Sequence, residues 1–272
     1  MNQVTGTSLS AWLFSLQARG QLSFGMDLLK KENPSLSAIA IKRALSRLTA
    51  KGSLISLHKG YYLVIPPPYA SAGILPPQLY LDAFMRYLKR PYYVSLLSAA
   101  AFHGAAHQQP QEFFVTTNFP VLRPTHKKGL KINYLSLSAF PEGLLEKRKT
   151  ESGYLLISNA VLTAADLVQF EKRVGGLNRV ATVLFELADE IQPEDFSSQF
   201  IQQISVSTLQ RLGYLLETSC KRTDLADALF AAMQLEQLSF FRIPLKMGMP
   251  IQGFGSDKRW KVIPNVVLET DF

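Results

Sequence analysis

The 272-residue chain is poor in cysteine and histidine, with one Cys (Cys220) and four His, and it has no long apolar run. A single thiol excludes an internal disulfide framework and a cysteine-rich zinc module, and it suits a reducing compartment. The longest apolar stretches, such as 94–103, reach about half of the ~20 residues that a membrane helix needs. The opening residues, MNQVTGTSLSAW, put no basic segment before an apolar one. No signal peptide is therefore expected, and the sequence reads as a cytoplasmic protein without membrane contact. Neither Gly-x-x-x-x-Gly-Lys-Ser/Thr nor Gly-x-Ser-x-Gly occurs, so the signatures of P-loop nucleotide binding and of the hydrolase nucleophile elbow are missing. What is present is apolar mass: 47% hydrophobic residues, with 17 Phe and 10 Tyr. Such a chain buries a sizeable core and is not globally disordered. Its length suits two unequal units.

Net charge is +8 and unevenly spread. Residues 1–66 carry eight Lys/Arg against two acidic side chains, and 67–150 carry ten against four. Residues 151–272 reverse the balance, with eleven against fifteen. A cationic first half favours a polyanionic partner, because neutralising phosphates releases counterions. A solvated surface with a chance excess is the other reading.

Five prolines fall within Pro66–Pro77. They remove backbone donors and bar helix, so an extended, semi-rigid linker at 67–77 is expected, separating a unit at 1–66 from one at 78–272. In the first unit, Ser8 or Ser10 can cap a helix that ends at Gly20, and a short helix spans 24–31. A third helix, capped by Ser35 or Ser37, runs to Ala50. Strands at 54–57 and 61–65 flank a His58-Lys59-Gly60 tip. This is the order of a winged helix-turn-helix. In the second unit, helices are expected at 78–88 and 94–102, and strands at 113–117, 131–135 and 154–158. Further helices are expected at 162–172, 177–191, 193–204, 207–218 and 224–238, with a terminal strand within 259–268. The fold class is α+β, with a helical C-terminal half.

At ~100° per residue, Ile41, Ala44, Leu45 and Leu48 form one stripe of the third helix. Ile39, Lys42, Arg43, Ser46, Arg47 and Ala50 lie opposite. Long cations on such a face suit major-groove insertion, where Arg engages guanine and Ser or Lys takes phosphate. Ser35 and Ser37 at the helix start can bind a phosphate. His58 and Lys59 at the wing tip can touch backbone or minor groove. Arg123, Lys127, Lys128 and Lys131, and the run Lys147-Arg148-Lys149, read either as solvated loops or as candidates for secondary DNA contacts. A three-helix domain with a solvated basic face remains the alternative.

The run Ser37-x-x-Ala40-Ile41-Lys42-Arg43-Ala44-Leu45-Ser46-Arg47-Leu48, followed by Lys51-Gly52-x-Leu54 and His58-Lys59-Gly60-Tyr61-Tyr62, resembles the N-terminal winged helix of AbiEi-family antitoxins. The resemblance continues through Pro91-Tyr92-Tyr93-Val94-Ser95-Leu96-Leu97-Ser98-Ala99-Ala100, His103-Gly104, Gln108-Gln109-Pro110 and Phe114-Val115-Thr116. It extends to Leu162-Thr163-Ala164-Ala165-Asp166-Leu167-Val168, Val174-Gly175-Gly176-Leu177 and Leu209-Gln210-Arg211-Leu212-Gly213-Tyr214-Leu215-Leu216. It implies an antitoxin and autoregulating repressor of a type IV toxin–antitoxin system, binding repeated half-sites in its own promoter. The implied partner is an AbiEii-like nucleotidyltransferase toxin, countered without a stable complex. Ile39 departs from this picture, being less polar than expected of a base reader.

Other constellations point to structure rather than catalysis. His103 and His107 have a zinc-like spacing without the intervening Glu of a protease helix. Asp166 lacks an acidic neighbour one turn away, so it is expected to pair with a base or cap a loop. Val174-Gly175-Gly176-Leu177 reads as one helix stopping and another starting. Lys221 and Arg222 stand beside Cys220 and could lower its pKa. No catalytic residue, cofactor or metal is expected. The alternative functions are an RNA- or protein-binding module using Tyr92, Tyr93, Phe113 and Phe114, or a cryptic nucleotide-modifying enzyme with convergent carboxylates.

Overall fold

The computed structural model describes residues 8–105 and 112–269. The chain is mixed α+β and divides into two compact units. The first comprises residues up to Tyr92, Thr117–Ser138 and Lys147–Leu156; the second comprises Tyr93–Thr116, Ala139–Glu146 and residues from Ile157 onward.

The first unit begins with α1 (Leu9–Ala18), whose Ser8 Oγ accepts the Ala11 N–H at 3.2 Å. Its apolar side chains recur at helical spacing, and Leu9, Trp12, Leu13 and Leu16 are all buried. Next come β1 (Ser23–Gly25), α2 (Met26–Glu32) and α3 (Ala38–Ala50). Of the two serines expected to cap α3, Ser37 does so, accepting the Ala40 N–H at 3.2 Å. The hairpin β2 (Leu54–His58) and β3 (Tyr61–Val64) closes an antiparallel sheet in the order β1-β3-β2. Ile41, Leu45 and Leu48 of α3 join Leu9, Trp12, Phe24, Leu29 and Leu54 in one core. Trp12 meets Phe24 edge-on at 5.0 Å and donates its indole N–H to Glu32 Oε2 at 2.8 Å. Arg19 bonds the same carboxylate, and these two donors hold the Glu32 pKa below its ordinary value.

The proline-rich stretch is not an extended strap. It folds into two 3-10 turns, Pro67–Tyr69 and Pro77–Leu79, with Leu75 fully buried between them. Proline fixes φ at a value that a tight turn also accepts, and burial of Leu75 selects the turn. Helix α4 (Leu81–Tyr87) follows and backs the hairpin. Tyr61 packs on Phe84 and Tyr87 at ring separations of 5.0 and 4.9 Å, and the Tyr87 hydroxyl donates to Lys59 O at 3.3 Å. Gly25 permits this approach: a Cβ there would lie 2.7 Å from the Tyr87 ring.

Strand β4 (Tyr92–Val94), helix α5 (Leu96–Phe102), β5 (Glu112–Asn118), β6 (Thr125–Lys127) and β7 (Leu130–Leu137) come next, then β8 (Leu145–Thr150) and β9 (Gly153–Ser158). Their sheet has the order β6-β7-β5-β4-β9-β8. β6 pairs antiparallel with β7, and β4 parallel with β9. The stretch expected as one helix from Val94 therefore divides into a strand and a helix. The edge strands β6 and β8 were not expected from the sequence because both are polar and lysine-bearing, as solvent-facing edges commonly are, and β6 has only three residues.

The second unit is helical after β9: α6 (Ala160–Gln169), α7 (Leu177–Leu187), α8 (Ser198–Gln203), α9 (Val206–Thr218) and α10 (Thr223–Leu235). Residues 160–168 of α6 are buried throughout. Its Asn159 cap accepts the Leu162 N–H at 3.0 Å. The tail adds β10 (Ile243–Pro244) and β11 (Val262–Ile263), paired in parallel. Trp260 lies against Gly213 of α9, where a Cβ would come within 2.1 Å of its ring. Gln210 donates to the carbonyls of Phe241 and Trp260 at 2.8 and 2.6 Å, tying the tail to α9. Among the described residues no helix is long and apolar enough to cross a membrane.

Candidate nucleic-acid interface

The periodicity that buries Ile41, Leu45 and Leu48 turns the rest of α3 outward. Lys42, Arg43, Ser46 and Arg47 are all exposed on that outer side, and among the described residues none of these cations forms an ion pair. One short helix thus presents three uncompensated cations and one hydroxyl. Ile39 stands among them, 67% exposed. Ser35 is exposed in the preceding turn, while Ser37 Oγ is occupied by the cap.

Lys59 and His58 are exposed at the hairpin tip, but the His58 ring lies 5.9 Å from Phe84. The hairpin is therefore a braced element, held from behind by α4. A groove of about 730 Å³ runs beside α3, with Met26, Lys30, Ile41, Lys42, Leu45 and Tyr62 among its lining residues. Lys30 was passed over in the sequence, where a Lys pair closing a short helix reads as a complement to the helix dipole.

The secondary cations fall in the same unit as α3. Arg123 and Lys127 are exposed. Lys128, at φ +45° in the β6–β7 turn, is exposed and lays its stem over Gly73. Lys131 is half-buried and already partnered. Lys147 and Lys149 point outward from β8. Recounted by unit, the first holds eighteen Lys/Arg against four Asp/Glu, and the second eleven against seventeen. Tertiary structure thus sharpens the charge division visible along the chain, because the lysine-rich strands return to the cationic unit.

Burial decides between several of the alternatives. Tyr92, Tyr93 and Phe114 are buried and Phe113 half-buried, so these rings are not a stacking platform. Cys220 is buried, which pushes its thiol up to about 12 despite Arg222. Desolvation of a thiolate outweighs one neighbouring cation. Asp166 neither pairs with a base nor caps a loop: Tyr93 donates its hydroxyl to Asp166 Oδ2 at 3.1 Å. Full burial raises the Asp166 pKa to about 7, and the Tyr93 bond opposes part of that rise.

The pair belongs to a buried polar set in the second unit. Thr116 donates to Ser95 Oγ at 2.8 Å, the Phe114 N–H to Ser98 Oγ at 2.9 Å, and Ser158 and Thr163 hydroxyls meet at 2.6 Å. His103 Nε2 lies 2.8 Å from Ser158 O, a structural bond rather than a ligand position; His107 lies outside the described residues. Among the described residues no three His, Cys, Asp or Glu side chains are grouped to hold a metal.

These polar residues sit within a segment, 93–218, that matches the family model of the AbiEi antitoxin C-terminal domain. Residues 93–218 are an AbiEi antitoxin C-terminal domain. Within it Ser95, Ser98, Thr116, Ser158, Thr163, Tyr93 and Asp166 are hydrogen-bonded to one another or to backbone, as buried polar groups usually are. The crystal structure of the RV2827C protein from Mycobacterium tuberculosis is similar in fold, with a TM-score of 0.66 at 15% identity over 93% of this chain and 90% of that one. A search of curated protein sequences finds no match.

Proposed function

We propose that residues 1–66 of this AbiEi antitoxin form a winged helix-turn-helix that reads promoter DNA, making the protein an autoregulating repressor. The domain division is read as that head, a proline-rich connection at 67–77 and an antitoxin domain at 78–272. The observation that carries this is the outer face of α3, where Lys42, Arg43 and Arg47 stand exposed and unpaired on a unit of strongly positive charge. Arg43 and Arg47 address base edges, Lys42, Ser46, Ser35 and Ser37 the phosphates, and His58 and Lys59 the flanking backbone. Arg123, Lys127, Lys128 and Lys131 extend the phosphate track. Two copies on repeated half-sites form the functional unit.

The toxin–antitoxin role carried by the family is read as type IV. An AbiEii-like nucleotidyltransferase toxin is countered in the cytoplasm without a stable complex, and the protein itself performs no catalysis and takes no cofactor.

A mobility-shift titration on the DNA upstream of the chain's own coding sequence tests the DNA reading. Each phosphate contact contributes about −0.9 to the slope of log affinity against log salt. Replacing Lys42 by Ala is expected to reduce the magnitude of that slope by about 0.9, and replacing Arg43 or Arg47 by Ala to cost about 1–3 kcal/mol at the cognate site. An unchanged slope, or no shift of that DNA by the wild-type protein, refutes it.

A further inference from the structure

Ile39 has no part in the core of its own unit. It lies in the first turn of α3, 67% exposed, while Ile41, Leu45 and Leu48 supply the buried stripe. A β-branched side chain on an open helix face gains nothing in helix propensity and leaves apolar area in water. Its neighbours on that face are Arg43, one turn on, and Ser46. In helix-turn-helix docking, the N-terminal residues of the recognition helix face base edges. The thymine C5-methyl is the one apolar feature of the major-groove edges.

We propose that Ile39 is a sequence-reading residue, packing its side chain on the C5-methyl of a thymine beside the guanine engaged by Arg43. Four helical residues advance about 6 Å, against ~3.4 Å per nucleotide, so the two bases lie about one to two steps apart. The cationic face then combines charge with one apolar probe. Arg43 donates to the paired acceptors N7 and O6 of guanine, and Ile39 recognises a methyl group that cytosine and uracil lack. This inference rests on the DNA-binding reading above.

The test is a thymine-to-deoxyuridine scan of the footprinted upstream duplex, each position replaced singly, with wild-type protein and Ile39→Ala compared by quantitative mobility shift. One methyl is worth about 0.8 kcal/mol, or about fourfold in affinity at 1.4 kcal/mol per decade. Wild-type protein is expected to lose about fourfold at one position per half-site. Ile39→Ala is expected to keep its unfolding midpoint, to bind thymine DNA more weakly, and to lose the uracil penalty at that position. Arg43→Ala is expected to retain the penalty. The proposal is overturned if the wild type is indifferent to uracil at every position, or if Ile39→Ala shows the same penalty as the wild type. Absence of any shift by the wild-type protein is a different result, which removes the DNA-binding reading and this inference with it.

Discussion

Replacing Asp166 by Asn is expected to change how stability depends on pH, leaving the Tyr93 hydroxyl an oxygen to which it can donate. Asp166 is fully buried on α6, and its pKa rises from the ordinary 3.8 to about 7. Below pH 4 the carboxyl is protonated both folded and unfolded. Between about pH 4 and pH 7 the folded protein holds the proton and the unfolded chain has released it. Stability therefore falls as pH rises through this window, at ~1.4 kcal/mol per unit, and levels off above pH 7. The loss from this one group totals about 4 kcal/mol. The amide introduced by Asp166→Asn has no proton to lose in this range, so any cost it carries is a constant offset. Urea denaturation of both proteins at pH 5, 6, 7 and 8, followed by tryptophan fluorescence, isolates the effect as a difference in which other titrating groups cancel. The wild-type curve should decline relative to Asp166→Asn up to pH 7 and then run parallel. Parallel curves from pH 5 onward would show that Asp166 is ionised in the folded state and that the burial argument is wrong.

Two further outcomes follow from packing. Gly213→Ala places a methyl within 2.1 Å of the Trp260 ring, so overpacking of ~1–3 kcal/mol should exceed the ~1 kcal/mol gained in helix propensity; thermal melting at a lower temperature, with a shifted Trp260 emission, checks this. Cys220, buried and with its pKa raised to about 12, should resist an aromatic disulfide reagent at pH 8 in the native protein and react promptly in urea.

The third helix was legible from its residues because a local rule governs it. A 3.6-residue period selects Ile41, Leu45 and Leu48 for the interior and leaves Lys42, Arg43, Ser46 and Arg47 outside, whatever the helix packs against. Ser37, Gly52 and the His58-Lys59-Gly60 tip mark their boundaries through backbone preferences of one or two residues. The strand β1 was not legible, since three residues carry no period of their own and are strand only because Tyr61–Leu63 lie beside them. The turn structure of 67–79 was misread for a related reason. Proline restricts the chain to a few conformations, and the burial of Leu75 chooses among them. Asp166 and Cys220 show the same division. The chain around them suggested structural roles without naming Asp166's partner or the burial that raises both pKa values, because burial is a property of the packed whole.

By itself, then, the order of residues determined the helices with an amphipathic stripe, the caps and turns, and an excess of positive charge early in the chain. These rest on interactions that span a few residues. Only the tertiary structure decided that β6, β7 and part of β8 return their lysines to the unit that holds α3, that α4 braces the hairpin, and which polar groups lose contact with water. Those outcomes depend on pairings between segments tens of residues apart, whose energies come from surfaces buried together and from water excluded between them.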